Sequence, residues 1–118
     1  MKTFLINLDR NPERLERMSA LLASMELPYQ RIAAIDGAAL TDDALSGASP
    51  ALSRGEIGCL LSHRAAWQII AGGPDPYGAV LEDDIHMAPD LPGFLSGWDW
   101  IPDGADVVKL ETSCDHVF

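Results

Sequence analysis

Short apolar runs alternate along this chain with longer stretches whose apolar residues recur at helical spacing. Phe4-Leu-Ile-Asn-Leu8 reads as a short buried strand. Asn11-Pro12 follows, an N-cap residue with proline at the first helical position. Leu15, Met18, Leu22 and Met25 then mark the apolar face of a helix that Pro28 ends, with Arg10, Arg14 and Arg17 off that face. Gln30 to Ile35 reads as a second strand, closed by Asp36-Gly37, and the β-α-β order predicts a parallel sheet. Residues 38–52, rich in Ala, Ser and Asp, read as a mobile loop. Ser53-Arg-Gly-Glu56 spells a capping box that opens a helix to about Ala71, stopped by Gly72-Gly73-Pro74. Tyr77 to Leu81 reads as a third strand, residues 90–102 as loop, and Ala105 to Leu110 as a fourth strand. There is no internal repeat and no linker, so residues 1–118 read as a single domain.

Each predicted strand runs into charge: Asp9-Arg10, Asp36, Glu82-Asp83-Asp84 and Glu111. Ligands of open parallel α/β sheets bind beyond the carboxyl ends of the strands. Strands must end in something polar, so the pattern is a pointer rather than a proof.

Composition narrows the function classes. Apolar residues make up 47% and charged residues 22%, a globular balance. Asp and Glu number 18 against 8 Lys and Arg, a formal charge of −10. Nucleic acid is therefore a poor partner, because phosphate contacts need clustered cations. An anionic substrate would need a metal or a local basic pocket. The start of the chain is too short in apolar residues for a signal peptide, and no stretch reaches transmembrane length. Cys59 and Cys114 fit no metal spacing and read as reduced thiols of a cytoplasmic protein, with a disulfide left open.

Three segments could carry chemistry. Three consecutive carboxylates at the end of a buried strand repel one another, and a hard divalent cation would offset that repulsion. Carboxylate oxygen suits magnesium, manganese or calcium, and strand alternation would turn Glu82 and Asp84 the same way. A solvated acidic turn is the plain alternative. The second segment is the helix opening at Gly55, where Glu56, Cys59, His63 and Trp67 share a stripe. Its plain reading is a capping Glu, a small core Cys and a satisfied His, while Gly58 suggests a close backbone approach. The third is Asn7, Asp9, Arg10 and Arg14, either a phosphate contact or surface arginines paired with Asp9, Glu13 and Glu16. Glycine-rich nucleotide loops and nucleophile elbows are absent from the sequence. Trp98 and Trp100 read as loop anchors, with a sugar-stacking platform as the alternative.

Taken in order, Ile6-Asn-Leu-Asp-Arg10 with Arg14, Ala33-Ala-Ile-Asp-Gly37, Leu52-Ser-Arg-Gly-Glu-Ile-Gly-Cys59 with Leu61-Ser-His63 and Trp67, and Val80-Leu-Glu-Asp-Asp-Ile85 resemble glycosyltransferase family 25. These are the lipopolysaccharide and lipooligosaccharide sugar transferases, with the collagen galactosyltransferases as relatives. The resemblance implies a GT-A-like α/β fold, a mostly parallel sheet with flanking helices. It implies a transferase that moves a sugar, galactose above all, from a UDP-sugar to a lipopolysaccharide or other glycan or glycolipid acceptor, with Mn2+ or Mg2+ as cofactor. By resemblance Asp84 is the metal ligand, assisted by Asp83, and Glu82 contacts ribose or helps place the metal. Asn7, Asp9, Arg10 and Arg14 match the first donor-contacting block, Asp36 stands near base or ribose, and Glu56, Ser62 and His63 shape the donor site. No catalytic base is identified.

Family transferases are longer than this chain, so the expected fold is incomplete relative to theirs, an N-terminal donor-binding portion. His116 is a candidate stand-in ligand, and an open sheet edge suggests a homodimer. The expected location is cytoplasmic or peripheral at the inner membrane. The competing reading is a truncated, non-catalytic module that binds nucleotide, metal or a partner. A response-regulator phosphoacceptor domain fits less well, since its acidic pair follows the first strand and here the acids follow the third.

Overall fold

A computed structural model describes residues 1–111. Three strands, β1 (Lys2–Asn7), β2 (Gln30–Ala33) and β3 (Gly78–Glu82), form one sheet in the order β2-β1-β3. Both pairings are parallel, with Asn7 beside Ala33 and Ile6 beside Glu82. The α/β sheet expected from the sequence is therefore present, an arrangement compatible with part of a GT-A-like fold.

Alternation along β1 explains how the sheet holds helices on both faces. Leu5 points to one face and is buried with Met18 and Leu22 of helix α1 (Pro12–Ser24) and with Leu81. Phe4 and Ile6 point to the other face and pack with Ile32 and with Ala66 of helix α3 (Arg54–Ala71). The chain winds β1-α1-β2 to one side, then returns through α3 to β3 on the other side of β1. β1 is thus the topological switch point, from which the connections diverge to opposite sides.

Helix α1 starts at Pro12 as its sequence predicts, yet Asn11 makes no side-chain cap. The Asn11 carbonyl instead accepts a bond from Asn7 Nδ2. The helix stops before Pro28 by its own device. Leu27 N–H donates to Leu22 O, Glu26 N–H donates to Ala23 O, and Glu26 takes φ 55°. This is a Schellman closure, with Leu27 packed beside Leu22 in the core and a glutamate where glycine is the unstrained residue. Glu26→Gly is therefore expected to raise stability by about 1 kcal/mol in urea denaturation, relief of left-handed strain outweighing the added chain entropy.

Three expectations need correction. Residues 38–52 are not without structure: a 3-10 turn at Gly37–Ala39 and a short helix α2 (Asp42–Leu45), capped by Thr41, occupy part of the segment. A short helix α4 (Leu91–Leu95) lies within the stretch read as loop. Residues 105–110 form no strand, and Val107, Val108 and Leu110 are exposed. Their apolar alternation satisfies the local condition for a strand, but among the described residues no neighbouring edge pairs with them. Cys114 and His116 lie outside the described residues. No helix among the described residues is long and apolar enough to cross a membrane.

Candidate functional site

The site lies along the carboxyl edge of β1 and β3, and strand parity distributes the acidic triplet over it. Glu82 shares the parity of Val80 and faces α3. Asp83 shares the parity of Leu81 and faces α1. The strand ends at Glu82 and Asp83-Asp84 form a turn, so alternation does not carry through to Asp84.

On the α1 side Asn7 is the hub. It is 1% exposed, and every polar atom of its side chain is engaged. Asn7 Nδ2 donates to Asn11 O at 3.0 Å and to Asp83 Oδ2 at 2.6 Å. Asn7 Oδ1 accepts from Arg31 Nε at 3.1 Å, and Arg31 also donates to the Asn7 carbonyl and to Asp9. Asp83 is 7% exposed, and its second oxygen accepts from Arg14 Nη1 at 3.3 Å. Arg17 donates to the carbonyls of Asp83 and Ile85. The arginines of α1 therefore do not pair with Glu13 and Glu16; Arg14 and Arg17 bind the acidic turn to the helix. A buried carboxylate held by a cation and an amide is satisfied without any external ion. Asp83, expected beside Asp84 as a metal ligand, has both oxygens occupied by protein groups.

Asp84 is the outward member of the triplet. Its carboxylate is more than half exposed and one oxygen lies 3.6 Å from Arg14 Nη1. Arg14 thus stands between the buried Asp83 and the exposed Asp84, a cation at the carboxyl edge of the sheet. Arg10 reaches Asp36 Oδ2 at 3.2 Å, and Asp36 also caps the 3-10 turn through Ala38 N–H. Asn7, Asp9, Arg10, Arg14 and Asp36, from the first two blocks of the resemblance, are accordingly brought to one edge.

On the α3 side the capping box is present in full: Ser53 Oγ accepts from Glu56 N–H and Glu56 accepts from Ser53 N–H at 2.7 Å. These bonds from Ser53 hold the Glu56 carboxyl below its ordinary pKa. Glu56 is exposed and occupied by this cap. Ser62 is buried, accepts from Ile35 N–H at 2.8 Å and donates to Gly58 O at 2.7 Å, so its hydroxyl is spent joining α3 to the end of β2. His63 is the residue of this block that reaches the triplet, with Nε2 2.7 Å from Glu82 Oε1. Trp67 lies beside it, ring centroids 6.2 Å apart.

Cys59 corrects the reading of a small core residue: it is exposed, and its thiol donates to Glu82 Oε1 at 3.8 Å. Burial of the sulfur, then the carboxylates of Glu82 and Asp84, raise its pKa. Sequence reasoning also missed Arg31, whose signal is a cation inside an apolar strand. Trp100 donates its indole N–H to Phe94 O and meets Phe94 edge to face at 5.5 Å, the contacts of a loop anchor. Beside them a shallow hollow of about 400 Å3, lined by Asp90, Gly93, Phe94 and Trp100, lies apart from the acidic edge.

Residues 1–114 match the family described as "Glycosyltransferase family 25 (LPS biosynthesis protein)". The chain is 31% identical over 128 residues to "Lacto-N-neotetraose biosynthesis glycosyltransferase LgtB" of Neisseria gonorrhoeae, covering 99% of this chain and 46% of that protein. It is 34% identical over 97 residues to human "Procollagen galactosyltransferase 2", covering 71% of this chain and 16% of the relative. It is 31% identical over 107 residues to human "Inactive glycosyltransferase 25 family member 3", covering 80% and 18% respectively. The chain thus spans less than half the length of these curated relatives.

Proposed function

The chain belongs to glycosyltransferase family 25, and on that premise we propose that it forms the donor-binding part of a metal-dependent transferase using a UDP-sugar, with UDP-galactose the first donor to test. One observation carries the reading: Arg14 and the exposed carboxylate of Asp84 stand together at the switch point of the sheet, on a scaffold locked by Asn7 and Asp83. A sheet edge with a cation and a projecting carboxylate suits a nucleoside diphosphate bound with a hard divalent ion. The donor chemistry fits such an ion, since Asp84 offers carboxylate oxygen outside the Asp83 network. When bound, Mn2+ or Mg2+ supplies positive charge to the departing UDP.

The protein's own residues supply orientation and charge. Arg14 would offer a guanidinium to phosphate oxygens at the sheet edge, with Asp83 holding it from below. Arg10 and Asp36 pair beside the loop after β2, where they would border the nucleoside. The acceptor is proposed to be a glycan or glycolipid, following the printed names of the family and of LgtB. A second reading, a nucleotide-binding module without transfer, is favoured by the relative named inactive.

Calorimetry with UDP and UDP-galactose, with and without Mn2+, tests the proposal. Mn2+-dependent binding by wild type, weakened about tenfold or more in Asp84→Ala, is the expected result, corresponding to at least about 1.4 kcal/mol. A folded wild type that binds neither ligand overturns it. Sugar release from bound UDP-galactose separates the transferase from the binding module.

A further inference from the structure

Cys59, His63 and Glu82 come from two elements and meet at the α3 side of the acidic edge. Cys59 and His63 are one helical turn apart, so α3 presents both on the same face. Glu82 at the end of β3 reaches both of them, at 3.8 Å from the Cys59 sulfur and 2.7 Å from His63 Nε2. One ligand atom from each residue lies within 4.8 Å of the others. We propose that these three side chains form a site for a borderline divalent transition ion of the zinc class, distinct from the hard-ion position at Asp84.

Three arguments support the assignment. The donor set is sulfur, nitrogen and oxygen, which favours zinc or cobalt over magnesium or manganese. Three protein ligands with a fourth position open toward solvent is the arrangement of a zinc centre that also takes a water or a substrate atom. The cluster is reachable, with Cys59 exposed and His63 and Glu82 half-buried. Spacing is short enough that small side-chain rotations bring all three donors to bonding distance, because Cys59 and Glu82 are not held in the core.

Charge and protons balance. On binding, the Cys59 thiol releases its proton to solvent and its sulfur lone pair goes to the ion. The Glu82 carboxylate binds as the anion, and the neutral imidazole of His63 gives a ring-nitrogen lone pair while its proton resides on the other nitrogen. Two anionic ligands then neutralise the divalent charge. Glu82 lies against both Cys59 and His63, so a cation held there also offsets the negative charge of that carboxylate. The assignment does not depend on the transferase reading, since it concerns ion binding alone.

Co2+ titration of the reduced full chain, followed by absorption, tests it. Saturation at one ion per chain with a thiolate-to-cobalt charge-transfer band, displaced by Zn2+ but not by excess Mg2+, is the expected result. The band should vanish in Cys59→Ser and persist in Cys114→Ser, and His63→Ala should weaken binding by more than about tenfold. Circular dichroism on each variant confirms the fold, which an exposed cysteine tolerates losing. A folded wild type without the band overturns the proposal, as does a band that follows Cys114 instead of Cys59.

Discussion

Gly37→Ala is expected to destabilise the protein by about 3 kcal/mol or more, the upper range for forced overpacking. A Cβ at position 37 would stand 1.9 Å from the Arg54 carbonyl oxygen and 2.5 Å from its carbon. Both are backbone atoms in the first turn of α3, so no side-chain rotation relieves the clash. Gly58 faces the same contact, since its Cβ would lie 2.7 Å from Gly37 N and from Ile35 O. The two glycines let the start of α3 lie directly on the loop after β2. That approach sets the height of Cys59 and His63 against Glu82, so the substitution should also disturb the site. Gly47→Ala is the control, because a Cβ there meets nothing within 4 Å, and its effect should stay within about 0.5 kcal/mol. Urea denaturation of the two variants reads the difference. Equal stabilities would show that α3 can lift off the loop at no cost.

Asn7→Leu is expected to cost about 3 kcal/mol, because the change abandons charged groups in place. Leucine has the branching and the heavy-atom count of asparagine and is somewhat bulkier, so no cavity is opened. What is lost is the donor to Asp83 Oδ2, the donor to Asn11 O and the acceptor for Arg31 Nε. Asp83 then keeps Arg14 as its side-chain partner in a buried position. Asn7→Asp sharpens the test. It places a second carboxylate against Asp83 where the amide stood at 2.6 Å. Like charge raises the folded-state pKa of that pair above its unfolded value, so the variant recovers stability as pH falls and loses it as pH rises through the raised value. Denaturation midpoints between acid and neutral pH measure the slope for both variants. A loss below about 1 kcal/mol in Asn7→Leu would mean that water replaces the asparagine without strain.

The elements with local signals were legible. Helix α3 begins at the capping box and ends at the glycine pair because hydrogen bonds within a few residues decide both ends. Helix α1 follows its apolar spacing, and β1 its unbroken apolar run. The failure at residues 105–110 has the same root seen from the other side. A strand needs a partner edge, and local alternation carries no information about whether one is present. Among the site residues, Asn7, Arg14, His63 and the acidic triplet were singled out from their residue types and positions. The resemblance groups Ser62 with His63, yet one position on a helix is about 100° of rotation, enough to turn the Ser62 hydroxyl into the core. Arg31 was passed over because its importance lies in reaching across to the next strand.

The amino-acid order alone determined the family, the β-α-β winding, the limits of the two long helices and the gathering of polar residues at the strand ends. Those properties rest on spacing and on hydrogen bonds between near neighbours. Tertiary structure alone decided how the triplet is divided. Strand parity sends Glu82 toward α3 and Asp83 toward α1, and the turn leaves Asp84 outward. Which carboxylate is buried, which meets a thiol and an imidazole, and which is left for a ligand depends on the helices packed on opposite faces of β1. Three adjacent acids look alike in sequence because their chemistry is set by what lies across the fold.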